Sequence, residues 1–158
     1  MRVPYLTLVL AVTVLLSACA SARDAQVQGA GGLALTGYDP VAYHDWGRPK
    51  LGDAQFSATI RAARYHFLSA SNRSACLAEP ERYLPALGGW CAWSLASDNL
   101  VTPDPTSFLI VDGRLLLFST GIDGTTRRRW QAGDSALLLR RATAAWNARQ
   151  QQRNKPAP

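Results

Sequence analysis

The chain has no apolar run long enough to cross a bilayer as a helix, no visible internal repeat and no recognisable nucleic-acid-binding module. Only three of its 158 residues are cysteine and two are histidine, so thiol or soft-metal chemistry has few side chains to draw on. Acidic residues are also scarce: 11 Asp and Glu stand against 17 Lys and Arg, for a formal net charge of +6. Nucleic-acid binding would need that charge gathered on one face of a known module. Here it is scattered, apart from Arg127-Arg128-Arg129 and the pair Arg140-Arg141. The excess reads as a solvated basic surface near anionic lipid headgroups, and nucleic acid is not an expected partner. The length leaves room for one domain once the ends are trimmed.

The most specific local signal lies at the N-terminus. Arg2 precedes an apolar or small run from Leu6 to Leu16, followed by Leu16-Ser17-Ala18-Cys19. The run is too short for a transmembrane helix and has the form of a secretion signal. Its ending resembles the bacterial lipobox, in which the cysteine is lipidated and becomes the first mature residue. Residues 1–18 are then a lipoprotein signal peptide, and Cys19 carries a diacylglycerol and an amide-linked chain such as palmitate. Two or more acyl chains suffice for stable membrane attachment. Ala20 stands where an inner-membrane retention signal usually has Asp, which favours the outer membrane, facing the periplasm. Residues 19–32 read as a flexible tether, spanning about 20 Å. Residues 149–158 have nothing to bury and read as a disordered tail.

Between these ends, 33–148 carries the signals of one α+β domain: a small antiparallel sheet with a β-hairpin, a short central helix and C-terminal helices packed on the sheet. Gly37 to Tyr43 reads as a turn and a short strand. Phe56, Ala58 and Ile60 alternate with polar residues in a first clear strand, and Arg64–Leu68 forms a second. Ser69 or Ser71 caps a short helix that Pro80 ends. Trp90–Leu95 reads as an aromatic strand, with Cys91, Trp93 and Leu95 on one face and Trp90 on the other. Asp112-Gly113 between two apolar runs is a strong hairpin signal, because both central residues of a type I′ turn need φ > 0. Those runs are apolar on both faces, so something covers them. The candidates are helices over Thr125–Gln131 and, capped by Asp134, over Ser135–Ala148, the latter with a stripe of Leu138, Leu139, Ala142, Ala145 and Trp146.

Gly37-Tyr-Asp-Pro-Val-Ala-Tyr43, Tyr65-His-Phe-Leu-Ser69, Pro80-Glu-Arg-Tyr83, Gly88-Gly-Trp-Cys-Ala92 and Val111-Asp-Gly-Arg-Leu115 together resemble the YHS-domain family, in its exported bacterial branch. The resemblance covers about residues 35–148. It implies a small α+β module and carries no activity. Metal-associated relatives use cysteines at positions that here hold Ala42, Leu68 and Asn72. Neither Ala nor Leu can ligate a metal, and Asn suits a soft ion poorly.

The remaining candidates for chemistry are His44, His66, Cys76 and Cys91. Exported compartments favour disulfides, and Cys76 and Cys91 are the two cysteines left once Cys19 is lipidated. Where relatives carry a large apolar residue in the short helix this chain has Cys76, which implies a core-facing thiol near the Trp90 strand. A Cys76–Cys91 bridge, two buried free thiols, and metal or redox chemistry all stay open. An enzyme using Cys91 as nucleophile and His66 as base lacks an identifiable orienting partner and oxyanion site. The expected function is therefore a non-enzymatic, lipid-anchored binding or interaction module for an unknown small ligand or protein, with no cofactor. Its candidate aromatic cleft is built from Tyr43, Trp46 and Trp90, unless the C-terminal helix covers Trp90. The alternative is a periplasmic protein handling a Cu or Zn ion through Cys91 with His66 or Cys76.

Overall fold

The computed structural model describes residues 32–61 and 63–155. The expected signal peptide, the expected lipidation site Cys19 and the expected tether up to residue 31 lie outside the described residues. The fold is α+β, in three two-stranded antiparallel sheets with helices packed around them.

The order of elements repeats. In the first half, a 3-10 turn at Leu35–Gly37 leads into α1 (Pro40–Asp45), the hairpin β1 (Asp53–Ile60) and β2 (Ala63–Phe67), and helix α2 (Ala70–Ala78). A one-turn helix, α3 (Pro80–Tyr83), joins the halves. The second half then runs through a 3-10 turn at Leu87–Gly89, α4 (Ala92–Leu95), the hairpin β3 (Asp104–Val111) and β4 (Arg114–Phe118), and α5 (Thr126–Ala132). A short hairpin, β5 (Thr120–Gly121) and β6 (Gly124–Thr125), is inserted before α5. The closing helix α6 (Ser135–Asn154) has no counterpart in the first half.

The correspondence extends to individual hydrogen bonds. Both hairpins join a strand of eight residues to one of five, and both shift register at the same place, between Asp53 and Ser57 and between Asp104 and Phe108. Ala34 N–H donates to Arg64 O, and Ala86 N–H donates to Leu115 O. Both turns are left-handed throughout: φ is 54°, 48° and 91° at Leu35, Thr36 and Gly37, and 57°, 64° and 77° at Leu87, Gly88 and Gly89. The expectation of no internal repeat is thus corrected. The halves share little more than Ala-Leu-x-Gly-aromatic at Ala34–Tyr38 and Ala86–Trp90, too short a match to stand out in the sequence.

Two other local readings change. Gly37–Tyr43 is not turn and strand, because the Asp39 carboxylate caps α1 by accepting from Val41 N–H at 2.8 Å, with Pro40 in the first helical turn. Residues 90–95 do not form an extended strand either. Cys91 makes one parallel bridge to Leu117, after which the chain coils into α4, with Ala92 and Leu95 buried and Trp93 half-buried. In so short a segment, alternating polarity does not separate a strand from one helical turn.

Strand β4 is the spine of the fold. Leu115 and Leu117 enter one hydrophobic cluster with Val41, Tyr43, Tyr65, Phe67 and Cys76. Leu116 and Phe118 enter a second with Leu95, Trp130 and Ala142. A strand apolar on both faces is therefore covered on both, as its composition requires. Leu138, Leu139, Ala145 and Trp146 bring α6 onto the second cluster along the expected stripe. That helix continues through Asn154, which removes 149–154 from the expected disordered tail. The physical reason is Arg149, whose guanidinium donates to the Asp98 carboxylate and carbonyl, each at 2.6 Å.

Candidate functional site

The duplicated frame places a buried acceptor at the same point in each half. In the first, the fully buried Asp39 carboxylate accepts from Val41 N–H at 2.8 Å, Leu68 N–H at 2.8 Å and Asn72 Nδ2 at 2.6 Å. In the second, Cys91 Sγ accepts from Ser119 N–H at 3.3 Å, and the hydroxyls of Ser94, Ser119 and Thr126 each lie 3.4 Å away. Leu68 and Ser119 both follow the last residue of the second hairpin strand, so Cys91 takes the place that Asp39 holds. The Gly-Tyr-Asp-Pro and Gly-Gly-Trp-Cys segments have the same architectural role, since each ties a left-handed turn and a short helix to the end of a hairpin.

Burial works against ionisation of Cys91. The hydrogen bonds from the Ser119, Ser94 and Thr126 side chains and the Ser94 backbone outweigh it and hold the thiol below its ordinary range. Cys76 is the opposite case. It sits in the apolar first cluster, where burial, helped by Asp39, pushes it up to about 12. Of the alternatives left open for Cys76 and Cys91, the structure has two free, buried thiols and not the possible bridge.

The other metal and catalytic candidates do not converge. His66 lies on β2 opposite Ser57, and His44 meets the edge of the Tyr83 ring at 5.5 Å. Burial, with Arg82 beside it, lowers the His44 imidazole below its ordinary value. Among the described residues no three His, Cys, Asp or Glu side chains gather into a metal site, so Cys91, His66 and Cys76 are not brought together as ligands. The hydrogen-bonding groups around Cys91 Sγ are hydroxyls and a backbone amide, with no imidazole among the described residues to serve as its base.

Of the three residues expected to build the aromatic cleft, Trp90 lines a surface depression and Tyr43 and Trp46 do not. Tyr43 cannot line it: the side chain is buried in the first cluster, its hydroxyl donates to Pro105 O at 2.9 Å, and Phe108 packs against its ring at 4.9 Å. Burial raises its phenol far above the ordinary value. Trp46 is 52% exposed at the end of α1 and does not line the depression at Trp90. Trp90, by contrast, is half-buried and does line a surface depression of about 330 Å³, with Trp146, Leu100, Arg149 and Arg153. The C-terminal helix forms one wall of the cleft and leaves it open.

Gly88 explains how that wall is seated. A Cβ at Gly88 would lie 2.1 Å from Trp146 Cη2 and 2.5 Å from Cζ2, so the Trp146 ring occupies the space a side chain would fill. The positive φ of 64° makes glycine suited to the position on a second count. Trp146, which the sequence places on the apolar stripe of the C-terminal helix, fills the space left at Gly88 and borders the depression beside Trp90.

No protein-family model, curated protein or solved structure matches the chain.

Proposed function

We propose that the protein is a lipid-anchored, extracytoplasmic binding module of the YHS-domain type, without enzymatic activity, and that the depression between Trp90 and Trp146 is its ligand seat. The observation that carries this reading is the composition of the depression. Two indole side chains and the exposed Leu100 supply apolar surface, while Arg149, itself paired with Asp98, and Arg153 stand at the rim. Concave sites of about 300–1,000 Å³, apolar with a few placed polar groups, are where small ligands usually bind. This combination suits an amphipathic anion: its apolar part lies against Trp90 and Leu100, and its charge meets the guanidinium groups. The resemblance of the five ordered motifs supports the domain type, and the Leu-Ser-Ala-Cys ending supports the anchor at Cys19. The outer membrane, facing the periplasm, is the location this anchor implies.

The test uses the full chain in a non-ionic detergent and an anionic, apolar fluorophore, anilinonaphthalene sulfonate, displaced by candidate amphiphiles. Saturable one-site binding that Trp90→Ala removes supports the reading. Binding that persists unchanged in Trp90→Ala rejects this seat.

A further inference from the structure

An ion pair stands at the rim of the Trp90–Trp146 depression. Arg149, which lines the depression, donates from Nε to Asp98 Oδ1 at 3.0 Å. Its Nη2 donates to Asp98 Oδ1 and to the Asp98 carbonyl, each at 2.6 Å. Nη1 of the same guanidinium has no hydrogen-bond partner among the described residues.

The backbone at Asp98 does not call for an acidic residue. It holds φ = 59° just past α4, where Asp98 N–H donates to Leu95 O and Asn99 N–H donates to Ser94 O. That is the pattern of a helix closed by one left-handed residue, a place glycine usually takes. The first half follows the rule. Lys50 O accepts from Asp39 N–H, as Val101 O accepts from Cys91 N–H. Three residues before each of these carbonyls stands the left-handed residue, Gly47 with φ = 62° in the first half and Asp98 in the second. Asp tolerates this conformation, and what it adds over glycine is a carboxylate held on Arg149.

We infer, on the reading of this depression as the ligand seat, that Asp98 is a specificity-determining residue which holds the seat to ligands of single negative charge. Arg149 and Arg153 alone present two positive charges, which suit a dianion such as a phosphate monoester. With the Asp98 carboxylate, one net positive charge remains among the three groups. An amphiphile ending in a carboxylate, a sulfonate or a phosphodiester matches it. Its anionic group takes a hydrogen bond from Arg149 Nη1, while Asp98 keeps Nε and Nη2.

The experiment compares three naphthalene probes on the full chain in non-ionic detergent at pH 8 and low salt. They are neutral N-phenylnaphthylamine, singly charged anilinonaphthalene sulfonate and doubly charged naphthyl phosphate, the last read by displacement. Asp98→Asn removes the charge, keeps Oδ1 as an acceptor for Arg149 and accepts the left-handed backbone. It leaves the affinity of the neutral probe unchanged. It raises that of the sulfonate about threefold, the scale of a solvated unit charge about 6 Å away. The phosphate gains about tenfold, because the effect scales with ligand charge. High salt shrinks both gains. Asp98→Gly, which suits the backbone and deletes the carboxylate, gives the same order of gains, and circular dichroism shows both variants folded. An anion affinity that Asp98→Asn leaves unchanged or lowers, or a gain equal for all three probes, overturns the inference; binding that still depends on Trp90 then leaves the seat standing. Probe binding indifferent to Trp90→Ala removes the seat and the role of Asp98 with it.

Discussion

Cys91 stands in the second half of the domain where Asp39 stands in the first, each accepting the backbone N–H of the residue that follows a hairpin's second strand. One position is filled by a carboxylate with contacts of 2.6–2.8 Å, the other by a sulfur with contacts of 3.3–3.4 Å. The difference in bond strength has a measurable consequence. Asp39→Ala strands two backbone amides and the Asn72 amide in the core and costs about 3–5 kcal/mol. Cys91→Ala removes weaker sulfur contacts and a small volume, and costs about 1–2 kcal/mol. Urea unfolding of the two variants checks the order; equal costs contradict it.

Gly88 and Trp146 make the second prediction. Gly88→Ala introduces a methyl into the Trp146 ring and a side chain at φ = 64°, and costs about 2–4 kcal/mol. In the double variant with Trp146→Ala the clash is relieved, so the two costs are less than additive. Strict additivity in a double-mutant cycle removes the wedge from the account.

The thiols give stability a pH dependence of known sign. Cys91 is held below its ordinary 9.0, so as pH rises toward 9 the folded state loses its proton first and stability increases. Cys76 is held up at about 12, so above pH 9 the unfolded chain ionises first and stability is lost as pH rises toward 12. Their joint contribution is greatest near pH 9. The difference in unfolding free energy between wild type and Cys76→Ala, measured in reducing buffer from pH 8 to 10, shrinks above pH 9. A difference that stays flat contradicts the assignment. Intact-mass measurement after alkylation of the unfolded, non-reduced protein adds two labels at Cys76 and Cys91, where a disulfide would add none.

Cys19 carries the prediction about location. Cys19→Ala abolishes lipid modification and releases the protein from the membrane fraction. A variant that still partitions with membranes and is processed normally rejects the lipoprotein reading.

Much of the fold was legible because its signals are local. Asp112-Gly113 marks a hairpin by its φ requirement, Ser69 and Asp134 cap the helices they precede, and the α6 stripe repeats at helical spacing. Helices α1 and α4 were not legible. They have six and four residues, too few for periodicity to distinguish a turn of helix from a strand. Tyr43 was misplaced for that reason, since helical geometry turns it into the core. The duplication stayed hidden because it is kept in the hydrogen bonding while its residues differ, Asp39 against Cys91. At the candidate site, the placing of Trp90 apart from Cys91, Trp93 and Leu95 singled it out, but Trp146 reaches the same place from a distant helix, and no local pattern encodes that meeting.

The most direct test of the account is a paired measurement on Trp90→Ala and Trp130→Ala, reading both unfolding free energy and binding of anilinonaphthalene sulfonate. Trp130 is 1% exposed in the second cluster, so its truncation costs about 3–5 kcal/mol. Trp90, half-buried at the edge of a depression, costs clearly less, and its loss removes the saturable binding while the domain stays folded. If Trp90→Ala destabilises the domain as much as Trp130→Ala, or leaves the probe's affinity untouched, Trp90 is a core residue and the Trp90–Trp146 depression is not a ligand seat.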